Sequence, residues 1–317
     1  MKLLSIGSRG SKLAMWQAGH VQRLLRERIG ADAEIVVIKT AGDRAANVPF
    51  GQVGAKGMFI KEIEDALLDG RIDLGVHSLK DVPSEMPAGL ILAAFLERED
   101  VRDVLVSRSG AKLSDFPRGA RVGTSSLRRQ AQLLHYRSDV VTRELRGNVD
   151  TRLAKLDRGD YDAVVLAKAG LDRLGLGHRI TEVLPAEISL PAAGQGALTI
   201  EARADDANLI GQLKALDHAE TRAAVEAERA LLAALGGGCQ IPIGAWARID
   251  PESAARDRLI LDAAVLSPDG SDCLRKRATG RADAPEDLGR RLAAALLSDG
   301  ADRILAQGDR ASTGKAS

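Results

Sequence analysis

Two residues with chemical potential stand out by type and setting. Cys239, one of only two cysteines in the 317-residue chain, follows three glycines in LGGGCQIPIGA. A nucleophilic thiolate needs a positive neighbour or a helix amino terminus, whereas the Ala-rich run AETRAAVEAERALLAALG places a negative helix end before this sulfur. Neither a neighbouring histidine nor a CxxC pair accompanies it, which argues against a cysteine protease or a redox thiol. The setting suits a thiol with open space around it, carrying a bulky group through a stable bond; the plainer alternative is a cysteine that fills core. Asp81 is the second candidate. In VHSLKDVP it follows a buried strand together with His77, Ser78 and Lys80. At the carboxyl end of a strand in an α/β lobe, a carboxylate is placed to act as general acid or base, or to stabilise a developing cation. The competing reading is a turn cap before Pro83.

A third signal is a set of arginines at strand-to-helix junctions. In RVGTSSLRRQ, Thr124, Ser125 and Ser126 supply hydroxyl caps and free backbone N–H groups at a helix start, a terminus that favours anions. Arg128 and Arg129 stand in the first turn, where the helix dipole opposes a positive charge. An anionic partner explains two arginines there; a solvated face with surface ion pairs is the alternative. Arg9 in IGSRGSKLA and Arg146 and Arg152 in RELRGNVDTRLAKL occupy comparable junctions. Guanidinium forks match carboxylates two bonds at a time, so their coincidence points to a ligand with several carboxylates.

These residues must be held by elements that the pattern outlines. KLLSI, AEIVVIKT and IDLGVHS read as strands, and KLAMWQAGHVQRLLRERIG and MFIKEIEDALLDG as helices stopped by Gly30 and Gly70. The glycine-rich stretch from Thr40 to Gly57 reads as a long loop. The alternation resumes from VRDVLVSR through RVG, SSLRRQAQLLHYR, DVVTREL, VDTRLAKLDRG, YDAVVLA and KAGLDRLG. GRIDLGVHS and GDYDAVVLA share an Asp three residues after a Gly, a weak sign of repetition. Alternating strands and helices predict two lobes with mostly parallel sheets and a ligand cleft. After LPAAGQGALTIEAR the composition changes to one Ala-rich helix, strand candidates IPIGAWARI, RLILDAAVLS and RKRATGR, and the helix PEDLGRRLAAALLSDG, a small α+β third domain.

Composition narrows the function classes. Lys and Arg total 45 against 44 Asp and Glu, a formal charge of +1, which gives no global signature of a nucleic-acid or membrane-surface binder. No apolar run reaches signal-peptide or membrane-spanning form, so a soluble cytoplasmic protein is expected. Two distant cysteines offer neither a disulfide framework nor a zinc site, and no metal is expected. The glycine loops match neither G-x-x-x-x-G-K-S/T nor a dinucleotide fingerprint.

GSRGSKLAMWQ, GAKGMFIKEIEDALL, DLGVHSLKDVP, EREDVRDVLVS, VGTSSLRRQAQL, LRGNVDTRLAKLDRGDYDAVVLA, LPAAGQGALTIE and ERALLAALGGGCQIPIGA, taken in order through nearly the whole chain, resemble the porphobilinogen deaminase family. The resemblance implies an α/β fold of two similar lobes like type II periplasmic binding proteins plus a small α+β C-terminal domain. Its expected boundaries are 1–97 with 197–216, 98–196 and 217–308, with 309–317 a loose tail. It implies a monomeric transferase of tetrapyrrole biosynthesis that condenses four porphobilinogen molecules head to tail with loss of ammonia and releases 1-hydroxymethylbilane. A dipyrromethane cofactor is implied as a thioether on Cys239. Asp81 takes the catalytic role. Arg9, Ser11, Lys56, Ser78, Lys80, Thr124, Ser125, Ser126, Arg128, Arg129, Arg146, Arg152, Arg173 and Gln195 are carried into substrate or cofactor binding. The loop from Thr40 to Gly57 is implied as a lid, with Asp43, Lys56 and Phe59 at or beside matching positions. Gln52 departs from the family pattern, in which many members carry a lysine there.

Overall fold

The computed structural model describes residues 3–40, 60–236 and 241–313. Two compact units emerge, Met1–Glu99 with Gly196–Arg222, and Asp100–Gln195 with Ala223–Ser317. Asp43, Gln52, Lys56, Phe59 and Cys239 lie outside the described residues.

The first unit opens with β1 (Leu4–Ser8), α1 (Lys12–Ile29) and β2 (Ala33–Val37). Ser11 starts α1 because its Oγ accepts from the Ala14 N–H at 3.3 Å, meeting one of the donors a helix start leaves unpaired. Gly30 ends it in the left-handed region at φ 66°, a conformation costly for residues with a Cβ. Next come α2 (Lys61–Leu68), β3 (Leu74–Ser78), a 3₁₀ turn (Leu79–Asp81) and β4 (Leu90–Phe95).

The chain then builds the second unit's first sheet from β5 (Asp103–Ser107), β6 (Arg121–Gly123), α3 (Leu127–Tyr136), β7 (Val141–Arg143), α4 (Val149–Asp157), β8 (Ala163–Ala167), α5 (Lys168–Arg173) and β9 (Glu182–Val183). It returns to the first unit for β10 (Leu198–Arg203) and α6 (Ala207–Leu213). Helix α7 (Ala219–Ala234) leads back to the second unit. There β11 (Ile243–Ile249), β12 (Arg258–Leu266) and β13 (Cys273–Arg281) form an antiparallel sheet covered by α8 (Pro285–Ser298) and α9 (Ala301–Thr313). Helix α9 continues to Thr313, inside the stretch 309–317 read from sequence as a loose tail. Its backbone extends a helix already anchored by buried Ala301 and Ile304.

The two five-stranded sheets have the same plan, β2-β1-β3-β10-β4 and β7-β6-β8-β5-β9. The expectation of mostly parallel sheets holds for strand direction, with four of the five strands of each sheet pointing the same way and one reversed. β2-β1-β3 and β7-β6-β8 pair in parallel, while β10 runs antiparallel to β3 and β4, and β5 antiparallel to β8 and β9, so β4 and β9 keep the direction of the trio. The strand-helix alternation dictates the parallel trio through its crossovers. The fourth strand of the first sheet, β10, and the edge strands β4 and β9 are absent from the elements read in the sequence, whereas β5 lies in VRDVLVSR, where the second alternation begins.

The weak Gly-Asp repeat proves to be structural. Asp73 accepts from the Ser5 N–H at 3.0 Å, and Asp162 accepts from the Arg121 N–H at 2.8 Å. Each aspartate thus enters the third strand of its trio and fastens it to the first residues of the central strand. Gly70 and Gly159, both at positive φ, turn the chain into these positions. Apolar burial supplies the rest. Ile6, Leu25, Leu74 and Ile200 are fully enclosed on one face of the first sheet, and Ile63, Leu67 and Ile72 pack its other side, each worth about 1.5–3 kcal/mol relative to exposure.

Candidate functional site

Asp81 is exposed at the end of the 3₁₀ turn that follows β3, so the strand delivers it to the sheet's carboxyl edge as the sequence predicts. A pocket in the first unit is lined there by Arg9, Ser11, Gln17, His77, Ser78 and Asp81, with Ile60, Ile63 and Val76 among its apolar walls. Four of the expected site residues, Arg9, Ser11, Ser78 and Asp81, are therefore brought together from the β1–α1 junction and from β3. Lys80 is half-buried in the same 3₁₀ turn. Gln17 was not anticipated. It is 4 % exposed and donates through Nε2 to Ser78 Oγ at 2.8 Å, tying the first turns of α1 to the end of β3. Its signal in the sequence was only a polar residue on the otherwise buried face of α1.

The pocket joins groups of opposite sign. Helix α1 carries no acidic residue in its first turn, so its positive dipole end is uncompensated beside Arg9 and favours an anion. Asp81 supplies a carboxylate to the same lining. Such a site can hold an acidic substituent of a ligand near Arg9 while Asp81 faces an N–H group or a nascent positive charge.

The other expected residues that the structure describes lie in the second unit, where the arginine pair has a different setting from the one expected. Arg128 and Arg129 are almost wholly buried in α3 and converge on Asp103, which has no exposed surface. Arg128 Nη1 stands 2.8 Å from Asp103 Oδ2, and Arg129 Nη2 donates to Asp103 Oδ1 at 2.7 Å. Burial pushes the Asp103 carboxyl up, but the two guanidinium groups outweigh it and hold the acid far below the ordinary carboxylate range. Gln195 joins the cluster by donating to Asp103 at 2.9 Å and to the Val101 carbonyl at 2.7 Å, and Ser189 Oγ donates to Asp103 at 2.8 Å. The anion facing the arginine pair is thus, in the first place, the protein's own. Asp103 was missed as a site-shaping residue, although an acid opening the apolar strand DVLVS was a signal that a partner was needed.

The hydroxyls of the TSS run are also engaged. Ser126 caps α3 by accepting from the Arg129 N–H at 3.4 Å, Thr124 accepts from the Ser126 N–H at 3.2 Å, and Ser125 donates to the Leu145 carbonyl at 2.6 Å. Arg146 pairs with Glu144 at 2.5 Å, Arg152 donates to the Gly147 carbonyl at 2.7 Å, and Arg173 is buried in α5. Two arginines meet one aspartate at the centre of this unit, and Arg128 Nε is buried with no hydrogen-bond partner among the described residues. The cluster keeps one unit of positive charge in excess.

Among the described residues no helix is long and apolar enough to cross a membrane.

Comparison with known proteins agrees with the resemblance drawn from the motifs. Residues 4–211 match the family described as porphobilinogen deaminase, dipyromethane cofactor binding domain, and residues 222–298 match porphobilinogen deaminase, C-terminal domain. The chain is 52 % identical over 304 residues to the porphobilinogen deaminase of Desulforudis audaxviator, covering 95 % of this chain and 96 % of that protein. It is 50 % identical over 307 residues to the porphobilinogen deaminase of Geobacter metallireducens, covering 96 % and 95 % respectively. Among solved structures, a periplasmic substrate-binding protein of an ABC transporter from Coxiella burnetii aligns at 16 % identity and a TM-score of 0.41, over 68 % of this chain and 92 % of that one.

Proposed function

The chain belongs to the porphobilinogen deaminase family, and from that premise we propose that it is the transferase that joins four porphobilinogen molecules head to tail, releasing ammonia at each addition and 1-hydroxymethylbilane at the end. The observation that carries this reading is the pocket at the end of β3, where Asp81 meets Arg9, Ser11 and Ser78. Porphobilinogen combines a pyrrole N–H, a primary amine and two carboxylates, and the pocket offers one group suited to each polarity.

The chain holds the dipyromethane cofactor binding domain of the family. The residues present fit such a group: a polycarboxylate needs fixed cations, and the second unit retains an excess positive charge where Arg128 and Arg129 close on Asp103, with Arg146 in the connection from β7 to α4, Arg152 on α4 and Arg173 on α5. When bound, the cofactor supplies the pyrrole end on which the product chain grows. Cys239 is its proposed point of attachment, and the three-domain division at 97, 197, 217 and 308 is proposed with it.

Asp81 is the proposed catalytic residue. Departure of ammonia from porphobilinogen leaves a cation conjugated with the pyrrole nitrogen, and a carboxylate beside that N–H stabilises the charge as it develops. The same oxygen then takes the proton lost when the new carbon–carbon bond restores aromaticity. Arg9 and the α1 amino terminus hold the acidic side chains. Ser11, by capping α1, keeps that terminus in place.

Intact-mass measurement tests the reading. The purified protein is expected to carry a mass excess equal to one dipyrromethane, absent from Cys239→Ser. A fully active protein without the adduct overturns it.

A further inference from the structure

Behind the Asp81 pocket lies a cluster of three ionisable side chains that the reaction just described does not use. His77 on β3 is 5 % exposed, Glu201 on β10 is 0 % and Glu64 on α2 is 8 %. His77 Nε2 and Glu201 Oε2 are 2.9 Å apart. The register explains how they meet: in the antiparallel pairing of β3 and β10, Thr199 stands opposite His77 and Glu201 opposite Gly75. A Cβ at Gly75 would lie 2.9 Å from His77 Nε2 and 3.4 Å from Glu201 Oε2. The strand lacks a side chain at that position, and the vacated space is where the imidazole and the carboxylate pair.

The cluster is not balanced within itself. Two buried carboxyls face one imidazole, and Glu201 Oε1 has no hydrogen-bond partner among the described residues. Burial first, and the neighbouring Glu201 next, push the Glu64 acid above the usual carboxylate range. Of the three, His77 alone lines the pocket that holds Asp81.

We propose that the cluster is a positioning device for the pocket: Glu201 fixes the His77 ring, and Glu201 and Glu64 together set the charge that His77 presents to the pocket lined also by Asp81. The groups around it are Glu201 from β10, Glu64 from α2 with Lys61 and Asp65 of the same helix acting on that acid, and Arg9 and Asp81 in the lining of the same pocket. Because Asp81 must meet a developing cation, its effectiveness depends on the charge His77 presents. This rests on the reading of the pocket as the deaminase site.

The test is the pH dependence of porphobilinogen turnover in the full-length, cofactor-loaded enzyme, for wild type, Glu201→Gln and Glu64→Gln, each checked by intact mass and by thermal melting. A carboxylate beside an imidazole favours its protonated form, so Glu201→Gln is expected to move the profile's inflection to lower pH by about half a unit or more. It also lowers kcat by about tenfold with KM nearly unchanged. Glu64→Gln moves the inflection in the same direction by less. A folded, loaded Glu201→Gln whose profile superimposes on wild type overturns the proposal and leaves the deaminase reading standing; a wild type without the adduct overturns the deaminase reading itself. Should Glu201→Gln fail to fold, the wild-type protein decides: His77 imidazole nitrogen resonances that titrate in step with kcat support the proposal, and resonances that stay constant while kcat titrates overturn it.

Discussion

Asp81 and Glu64 show that two carboxyls of one unit have opposite assignments because of where their oxygens end. Asp81 is exposed at the pocket, so Asp81→Asn is expected to leave folding unchanged while turnover falls at least about a hundredfold. Single-turnover kinetics with porphobilinogen check this, and near wild-type turnover with normal binding sinks the assignment. Glu64 is enclosed, and its acid is raised by burial and by Glu201. A raised carboxyl penalises the folded state once pH rises above the ordinary carboxylate value, and the penalty disappears as pH falls below it. Glu64→Gln is therefore expected to melt about 1–3 °C higher than wild type near pH 8, with the gain gone near pH 4, about the unperturbed value for the acid. Thermal melts across that range show the sign. The candidate roles of Asp81 and Arg9 were legible because both stand at strand ends, where local pattern is informative. The burial of Glu64 was not, since a glutamate on a helix reads as solvated until the opposing strand is placed.

At the scale of elements, close approach of backbones replaces side-chain chemistry as the controlling quantity. Helix α8 rests on α7 through Gly289, where a Cβ would fall 2.3 Å from the Ala227 carbonyl oxygen and 2.8 Å from the Leu231 nitrogen. Both neighbours are helix backbone and have no rotamer to yield. Gly289→Ala is expected to cost roughly 1–3 kcal/mol, as overpacked sites do, lowering the urea midpoint of the second unit; an unchanged midpoint contradicts the packing account. The Gly70 and Gly159 turns, each followed three residues later by an aspartate, were visible in the sequence as a weak repeat, whereas the fastening by Asp73 and Asp162 was not, since the partners Ser5 and Arg121 lie 68 and 41 residues away. The partnership of Gly289 with α7 was not visible, since it joins helices more than fifty residues apart, and a lone glycine in a helix does not announce its neighbour.

At the scale of the whole molecule, one of the second unit's buried acids, Asp103, gathers its arginine pair. Asp103 neutralises one of two arginines and receives Gln195 and Ser189. Replacing it by Asn leaves buried guanidinium charge uncompensated, which typically costs about 3–5 kcal/mol. Because the Asp103 carboxyl is depressed in the folded state, its contribution is full at neutral pH. It stays full down to the unperturbed value near 4, about where an unfolded aspartate titrates, and is lost only below. The stability difference between wild type and Asp103→Asn should thus persist from pH 7 to about pH 4. Hydrogen exchange should show protection falling in β5, β6 and β8 while β1 and β3 of the first unit keep theirs. Equal loss in both units, or a gap that closes well above pH 4, contradicts this.

By itself the sequence determined the periodic elements, the repetition of the lobes and the family, because hydrophobic period, capping residues and motif order are local or collinear properties. The sheet order, the antiparallel fourth strand of each lobe, the enclosure of Arg128 and Arg129 around Asp103, and the meeting of His77 with Glu201 were decided only by tertiary structure. Each of these depends on two segments far apart in the chain arriving at one place, where burial raises the cost of an unpaired charge and so decides which partner each residue keeps.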